Sequence, residues 1–139
     1  MNESEFLVWA TSRSLQQAEV ESLKLSASHA EEDTLTGRVV LDYASIAEYT
    51  DDEIIDACPF DSGFVVFGDC PNGDQVAIDV KQNVGTVHYL SHEESDGCSF
   101  PSIRVANSME QFLTDLGNDK VPTDYHEALS WKFLADGAG

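Results

Sequence analysis

Basic residues are what this sequence has least of: seven lysines and arginines stand against 26 aspartates and glutamates in 139 residues, a formal charge of −19. A field of that sign repels phosphate backbones and anionic headgroups at long range, which argues against nucleic acid and membrane surfaces as partners. A basic protein is instead drawn in quickly, because complementary fields act chiefly on the association rate. Acidity that merely keeps the chain soluble accounts for the same composition, and both readings stay open at this level.

Long apolar runs are missing as well. The start, MNESEFLVWATSRS, is acidic with one five-residue apolar stretch, so it does not read as a secretory signal. No run approaches the ~18 residues of a membrane helix, and a cytoplasmic protein is the expectation. The cysteines Cys58, Cys70 and Cys98 are odd in number and widely spaced, which argues against a disulfide framework and for reduced thiols. No Pro/Ser/Gly-rich tract marks a linker and no internal repeat is visible. Residues 1–139 read as one domain, long enough to bury roughly two-thirds of its unfolded surface.

What is present reads as alternating helix and strand. Residues 12–28 predict a helix with Leu15, Ala18 and Leu23 near one face, and the preceding FLVWA is a short strand or a first helical turn. After an acidic loop at 31–33, RVVLDY (38–43) has the β-branched run of a strand. Around YTDDEI, Thr50 and Glu53 have the spacing of a capping box and Tyr49 and Ile54 that of a hydrophobic staple, with Pro59 as the stop. Asp51, Asp52, Glu53 and Asp56 then suit either a helix start, where the dipole favours negative charge, or a partner-binding patch.

The densest signal is FVVFGDCPNGDQVAIDV (64–80). GFVVFG (63–68) is the continuous apolar run of a strand buried on both faces, and QVAIDV (75–80) alternates, with Val76, Ile78 and Val80 on one side. Between them Pro71 fixes its own backbone and Asn72-Gly73 supplies the positive dihedrals of a tight reversal. A third strand, TVHYLSH (86–92), follows a turn at Asn83 and Gly85. Downstream, Asn107 with Glu110, or Ser108 with Gln111, caps a helix bearing Met109, Phe112, Leu113 and Leu116, which Gly117 ends. A last helix over 124–135 places Tyr125, Ala128, Leu129 and Phe133 on one stripe, with its stop near Gly137. The expected fold is α+β: a largely antiparallel meander of about four to six strands with helices packed on one face.

Chemistry-bearing candidates weigh little on this scaffold. DCPNGD lacks the alternate oxygen ligands of a calcium loop, and Asp69 and Asp74 flank the turn as such residues commonly do. His88 and His92 on one strand stand about 13 Å apart at ~3.3 Å per residue, too far to share one ion, with Cys98 or without it, unless the strand ends between them, so no metal is expected. His88 reads as a hydrogen-bonded or half-exposed histidine. There is no GxSxG elbow, Walker loop or GxGxxG motif. Cys70, in the turn, is the thiol expected to be exposed, but its acidic loop opposes a depressed pKa. No catalytic residue and no cofactor is assigned.

In order and spacing, FVVFG (64–68), NGDQVAID (72–79), TVHYLSH (86–92) and IRVANSMEQFLTDL (103–116) resemble the SUKH superfamily, which includes the yeast cell-wall assembly regulator and many bacterial immunity proteins. The resemblance covers half to two-thirds of the chain. The LP-containing helix and Asn-Gly pair that members carry upstream are absent from residues 15–45. The resemblance implies a non-catalytic SUKH-like domain, its 103–116 segment helical, that binds and neutralises a toxin, with a basic nuclease as the fitting partner. It implies a structural turn signature at Gly68, Asn72, Gly73, Asp74 and Asp79. The acidic partner-binding surface is then expected at Asp51, Asp52, Glu53, Asp56, Asp69 and Asp74, on a monomer or weak homodimer. A regulatory or scaffold module of the cell-wall assembly regulator type is the alternative, and a small hydrolytic enzyme ranks third.

Overall fold

In the computed structural model, which describes residues 1–30, 39–51, 59–91, 101–118 and 120–130, the Pro-Asn-Gly turn and its flanking apolar runs form the centre of the sheet. Strands β1 (Val39–Val40), β2 (Phe64–Asp69), β3 (Gln75–Asp79), β4 (Val87–Leu90) and β5 (Ser102–Ala106) pair antiparallel in chain order, a five-stranded meander. Helices α1 (Glu3–Ser12), α2 (Gln17–Ala27), α3 (Tyr43–Asp51), α4 (Met109–Gly117) and α5 (Tyr125–Ser130) pack around it, so the fold is α+β, as expected. The acidic loop at 31–33, Asp52, Glu53, Ile54, Asp56, Cys58, His92, Cys98, Phe133 and Gly137 lie outside the described residues.

The hairpin closes differently in detail from its sequence expectation. Gly73 alone takes a positive φ, +97°, and its N–H donates to the Cys70 carbonyl at 3.0 Å, while Asn72 does not share the left-handed conformation. The loop is thus a proline-primed turn followed by a left-handed glycine, a geometry open to three-residue hairpin loops. Cys70 is not the exposed thiol: it is 5% exposed and belongs to the apolar core. Between Val66 and Gly68 the register of β2 slips, and the ring of Phe67 lies edge-on to Phe112 at 5.6 Å, joining the bulge to α4. All five residues of β3 are buried rather than alternate ones, because both faces at the middle of the sheet are covered.

The first half departs further. The Asn2 side chain accepts the Glu5 N–H and the Glu5 carboxylate accepts the Asn2 N–H, a reciprocal cap that makes FLVWA part of a helix rather than a strand. Ser14, at φ 59°, separates α1 from α2, so the predicted helix over 12–28 begins only at Gln17, and Ala18 faces solvent. The strand predicted over 38–43 ends at Val40: Asp42 Oδ1 accepts the Ser45 N–H at 2.9 Å and starts α3. Thr50 is therefore no helix cap. It lies in the last turn of α3, fully buried, and its hydroxyl accepts the Val66 N–H at 2.9 Å, supplying the partner that β1 is too short to give that edge.

In the second half, residues 103–106 are strand rather than the start of a helix, and α4 begins only after Ser108, whose hydroxyl accepts the Gln111 N–H at 3.1 Å. Tyr125 and Ala128 of α5 are buried, but Leu129, expected on the same stripe, is 43% exposed. One apolar cluster runs from Phe6 and Leu23 through Val65, Phe67, Ile78 and Tyr89 to Phe112 and Ala128.

Candidate functional site

Carboxylates are the commonest charged groups of this chain, and their placement divides them into two sets. Asp74, predicted as part of an acidic docking surface, is 1% exposed and cannot face a partner. Its Oδ2 accepts the Asn72 side-chain amide at 3.0 Å and the Tyr125 N–H at 3.0 Å, so it ties the turn to the first residue of α5. Asp69 is half-buried: desolvation raises its pKa above the ordinary carboxylate value, against a hydrogen bond from the Tyr49 hydroxyl. Asp51 is paired rather than free. Its two oxygens take Arg13 Nε at 3.0 Å and Arg13 Nη2 at 2.6 Å, and Oδ2 also accepts the Trp9 indole N–H at 2.9 Å. The Arg13 guanidinium lies between the Trp9 and Phe60 rings, 5.7 and 6.0 Å from their centroids. Asp52, Glu53 and Asp56 fall outside the described residues.

The second set is exposed and lies on helices. Glu5 on α1, Glu21 on α2, Glu48 on α3 and Glu110 on α4 face solvent, as does Glu3, and Lys24 sits 3.8 Å from Glu3 and 3.6 Å from Glu21. Two acids share one base there, so the local charge stays negative. Glu21 and Glu110 fall on helices expected from the sequence, whereas Glu3, Glu5 and Glu48 lie on α1 and α3, whose bounds the sequence reading misplaces.

A polar cluster occupies the end of the sheet where β3 turns into β4. Asp79, 5% exposed, receives the N–H groups of Lys81 and Gln82 on Oδ1 at 2.8 and 2.9 Å, and that of Asn83 on Oδ2 at 3.2 Å. Burial alone would raise its carboxyl. The three backbone donors and nearby His88 outweigh that and hold it below the usual range. Thr86 donates its hydroxyl proton to the Asn83 carbonyl at 2.7 Å and lies 2.8 Å from His88 Nε2, which is 4.0 Å from Asp79 Oδ2. His88 itself is 9% exposed under the ring of Phe64, with Ala77 and Arg104 opposite it on the neighbouring strands. Desolvation lowers its pKa, Asp79 opposes and Arg104 adds to the lowering. His88 is thus hydrogen-bonded, as the sequence suggested, and buried. Thr86 and Arg104, its neighbours, carry no motif by which sequence reading would find them.

Gly68, Asn72, Gly73, Asp74 and Asp79 all lie within the β2–β3 hairpin, where Gly73 turns the chain and the two aspartates hold backbone N–H groups. A cleft of about 470 Å³ between the ends of α2 and β1 and the start of α3 is floored by Ala27, Val40 and Leu41 and edged by Asp42 and Ser45. It is remote in sequence from the Asp79–His88 cluster, and the Asp42 carboxylate at its rim is already occupied by the α3 N-terminus, which holds its pKa down. Among the described residues no group of three or more His, Cys, Asp or Glu side chains is placed to hold a metal ion, and no helix is long and apolar enough to cross a membrane. No model of a known family, no curated protein and no solved structure matches the chain.

Proposed function

We propose that the chain is a non-catalytic protein-binding domain that docks on a basic protein and neutralises it, in the manner of a cytoplasmic immunity protein holding its toxin. The observation that carries this reading is the division of the carboxylates. Those of the hairpin and of Asp51 are spent on backbone N–H groups and on Arg13, whereas Glu21, Glu48 and Glu110 stand exposed on helices of a chain with a formal charge of −19. The resemblance to the SUKH superfamily, with its toxin-neutralising members, supports the same reading. A nuclease must be basic to hold its substrate, and carboxylates offered where phosphates would lie compete for that surface.

The test is binding of this protein to a basic protein encoded by the adjoining reading frame, with E21K, E48K and E110K as variants. The expected result is an affinity at least tenfold lower in the triple variant, with thermal stability unchanged, and restoration of the loss at low salt only in part. Binding indifferent both to these substitutions and to salt would count against it, and would favour an apolar-groove scaffold of the cell-wall assembly regulator type.

A further inference from the structure

The Asp79–Thr86–His88 cluster contains one atom whose state is dictated by its neighbours. A threonine hydroxyl has a single proton, and that of Thr86 goes to the Asn83 carbonyl at 2.7 Å. Toward His88 Nε2, 2.8 Å away, the hydroxyl is then left as an acceptor, so Nε2 carries the hydrogen. The Asp79 carboxylate, 4.0 Å from the same nitrogen, favours the same tautomer. Nδ1 is left as a bare lone pair, buried and without a hydrogen-bond partner among the described residues.

We propose that His88 is a proton-triggered latch on the β3–β4 connection: neutral, it closes the turn through Nε2–H, and protonated at Nδ1 it releases it. Three features of the site act in that direction. A proton on Nδ1 gains no acceptor to offset its burial. The charged groups bearing on the ring from the flanking strands are Asp79 on β3 and Arg104 on β5, and a charged imidazolium faces repulsion from Arg104 across the strand pair. β2 contributes only the Phe64 ring, 5.4 Å away between centroids. The attraction that remains is to Asp79 Oδ2, the same oxygen that holds the Asn83 N–H by the longest of its three turn bonds, 3.2 Å. An imidazolium drawn to that oxygen competes with the longest of the side-chain bonds that brace the turn, beside the backbone bonds between Asp79, Gly85 and Thr86.

The experiment is an imidazole nitrogen–proton correlation spectrum of the full chain recorded as a function of pH, together with urea unfolding of wild type and His88→Gln over the same range. Glutamine keeps a donor toward Thr86 and never titrates. The expected spectrum shows His88 as the Nε2–H tautomer, titrating below the ordinary histidine value of about 6.5. Amide exchange at Lys81, Gln82 and Asn83 rises with that titration. The wild-type unfolding constant rises relative to that of His88→Gln, by up to about tenfold per pH unit, from pH ~6.5 downward until the folded-state ring is itself protonated. An Nδ1–H tautomer, a titration at or above the ordinary value, or equal pH dependence of the two proteins would overturn the proposal. Should His88→Gln fail to fold, the tautomer and titration of the wild-type ring decide it alone.

Discussion

Asp74 Oδ2 accepts the backbone N–H of Tyr125 at 3.0 Å, joining residues 51 positions apart, and so a turn carboxylate stands at the start of the C-terminal helix. With Asp74 only 1% exposed, its removal takes the acceptor from the buried Tyr125 N–H. Asp74→Ala is expected to cost about 1–3 kcal/mol, read from urea denaturation, because an orphaned buried donor loses its full desolvation compensation. Asp74→Asn keeps an acceptor oxygen and should cost less. Equal costs for the two would mean that the charge, not the hydrogen bond, is what the fold needs.

Arg13 and Asp51 join the end of α1 to the end of α3 through two parallel N–H to oxygen bonds. Each side chain is about one-third exposed, 32% and 33%, so solvent screens the pair and a double-mutant cycle should yield about 0.5–1 kcal/mol. Arg13→Lys should lose most of that coupling, since a point charge cannot reproduce the fork or lie between Trp9 and Phe60. A cycle with full coupling in the lysine variant would show that the geometry is irrelevant.

How much of this was legible in the chain depends on how local each cause is. The central hairpin could be read because its first strand is a continuous apolar run and its turn chemistry lies within Cys70 to Gly73; the φ of Asn72, the burial of Cys70 and the burial of every residue of β3 differed, and the last two depend on what the folded chain packs over the hairpin. Strand β1 and helix α3 were misplaced because the β-branched run at 39–40 is immediately followed by an aspartate cap, and two adjacent signals of opposite type cannot be partitioned by propensity. Thr50 reads as a cap from its spacing to Glu53, but the donor its hydroxyl accepts from, Val66, is 16 residues away. Within the candidate acidic surface, the engagement of Asp51 by Arg13 and of Asp74 by Tyr125 was hidden for the same reason, since these contacts are made only by the folded chain.

Asp69 is the carboxylate whose burial opposes its charge. Its folded pKa is raised, so the folded state holds the proton more tightly than the unfolded chain, and stability falls as pH rises through that range. Asp69→Asn removes the charge and keeps an acceptor for Tyr49. At pH 7 the variant should melt higher than wild type, and the difference should vanish on acidification below about pH 4, where the wild-type residue is also neutral. A variant that melts lower at pH 7 contradicts this assignment.

Asp79 has the opposite sign. Its folded pKa is lowered below the ordinary 3.8, so its contribution is fully present above that value and is lost as pH falls through the folded pKa. Asp79→Ala should destabilise at pH 7 by about 1–3 kcal/mol or more, since three turn N–H groups lose their acceptor. The gap to wild type should narrow only in strongly acidic solution, as followed by thermal unfolding between pH 7 and 2. A gap that already closes at pH 5 would place the stabilisation elsewhere.

The central claim, that exposed carboxylates of a chain carrying a formal charge of −19 dock a basic partner, is tested most directly by stopped-flow association with that partner over a range of ionic strength. The association rate should fall by about tenfold or more between low and physiological salt, with a much smaller change in the dissociation rate. An association rate independent of salt would contradict it.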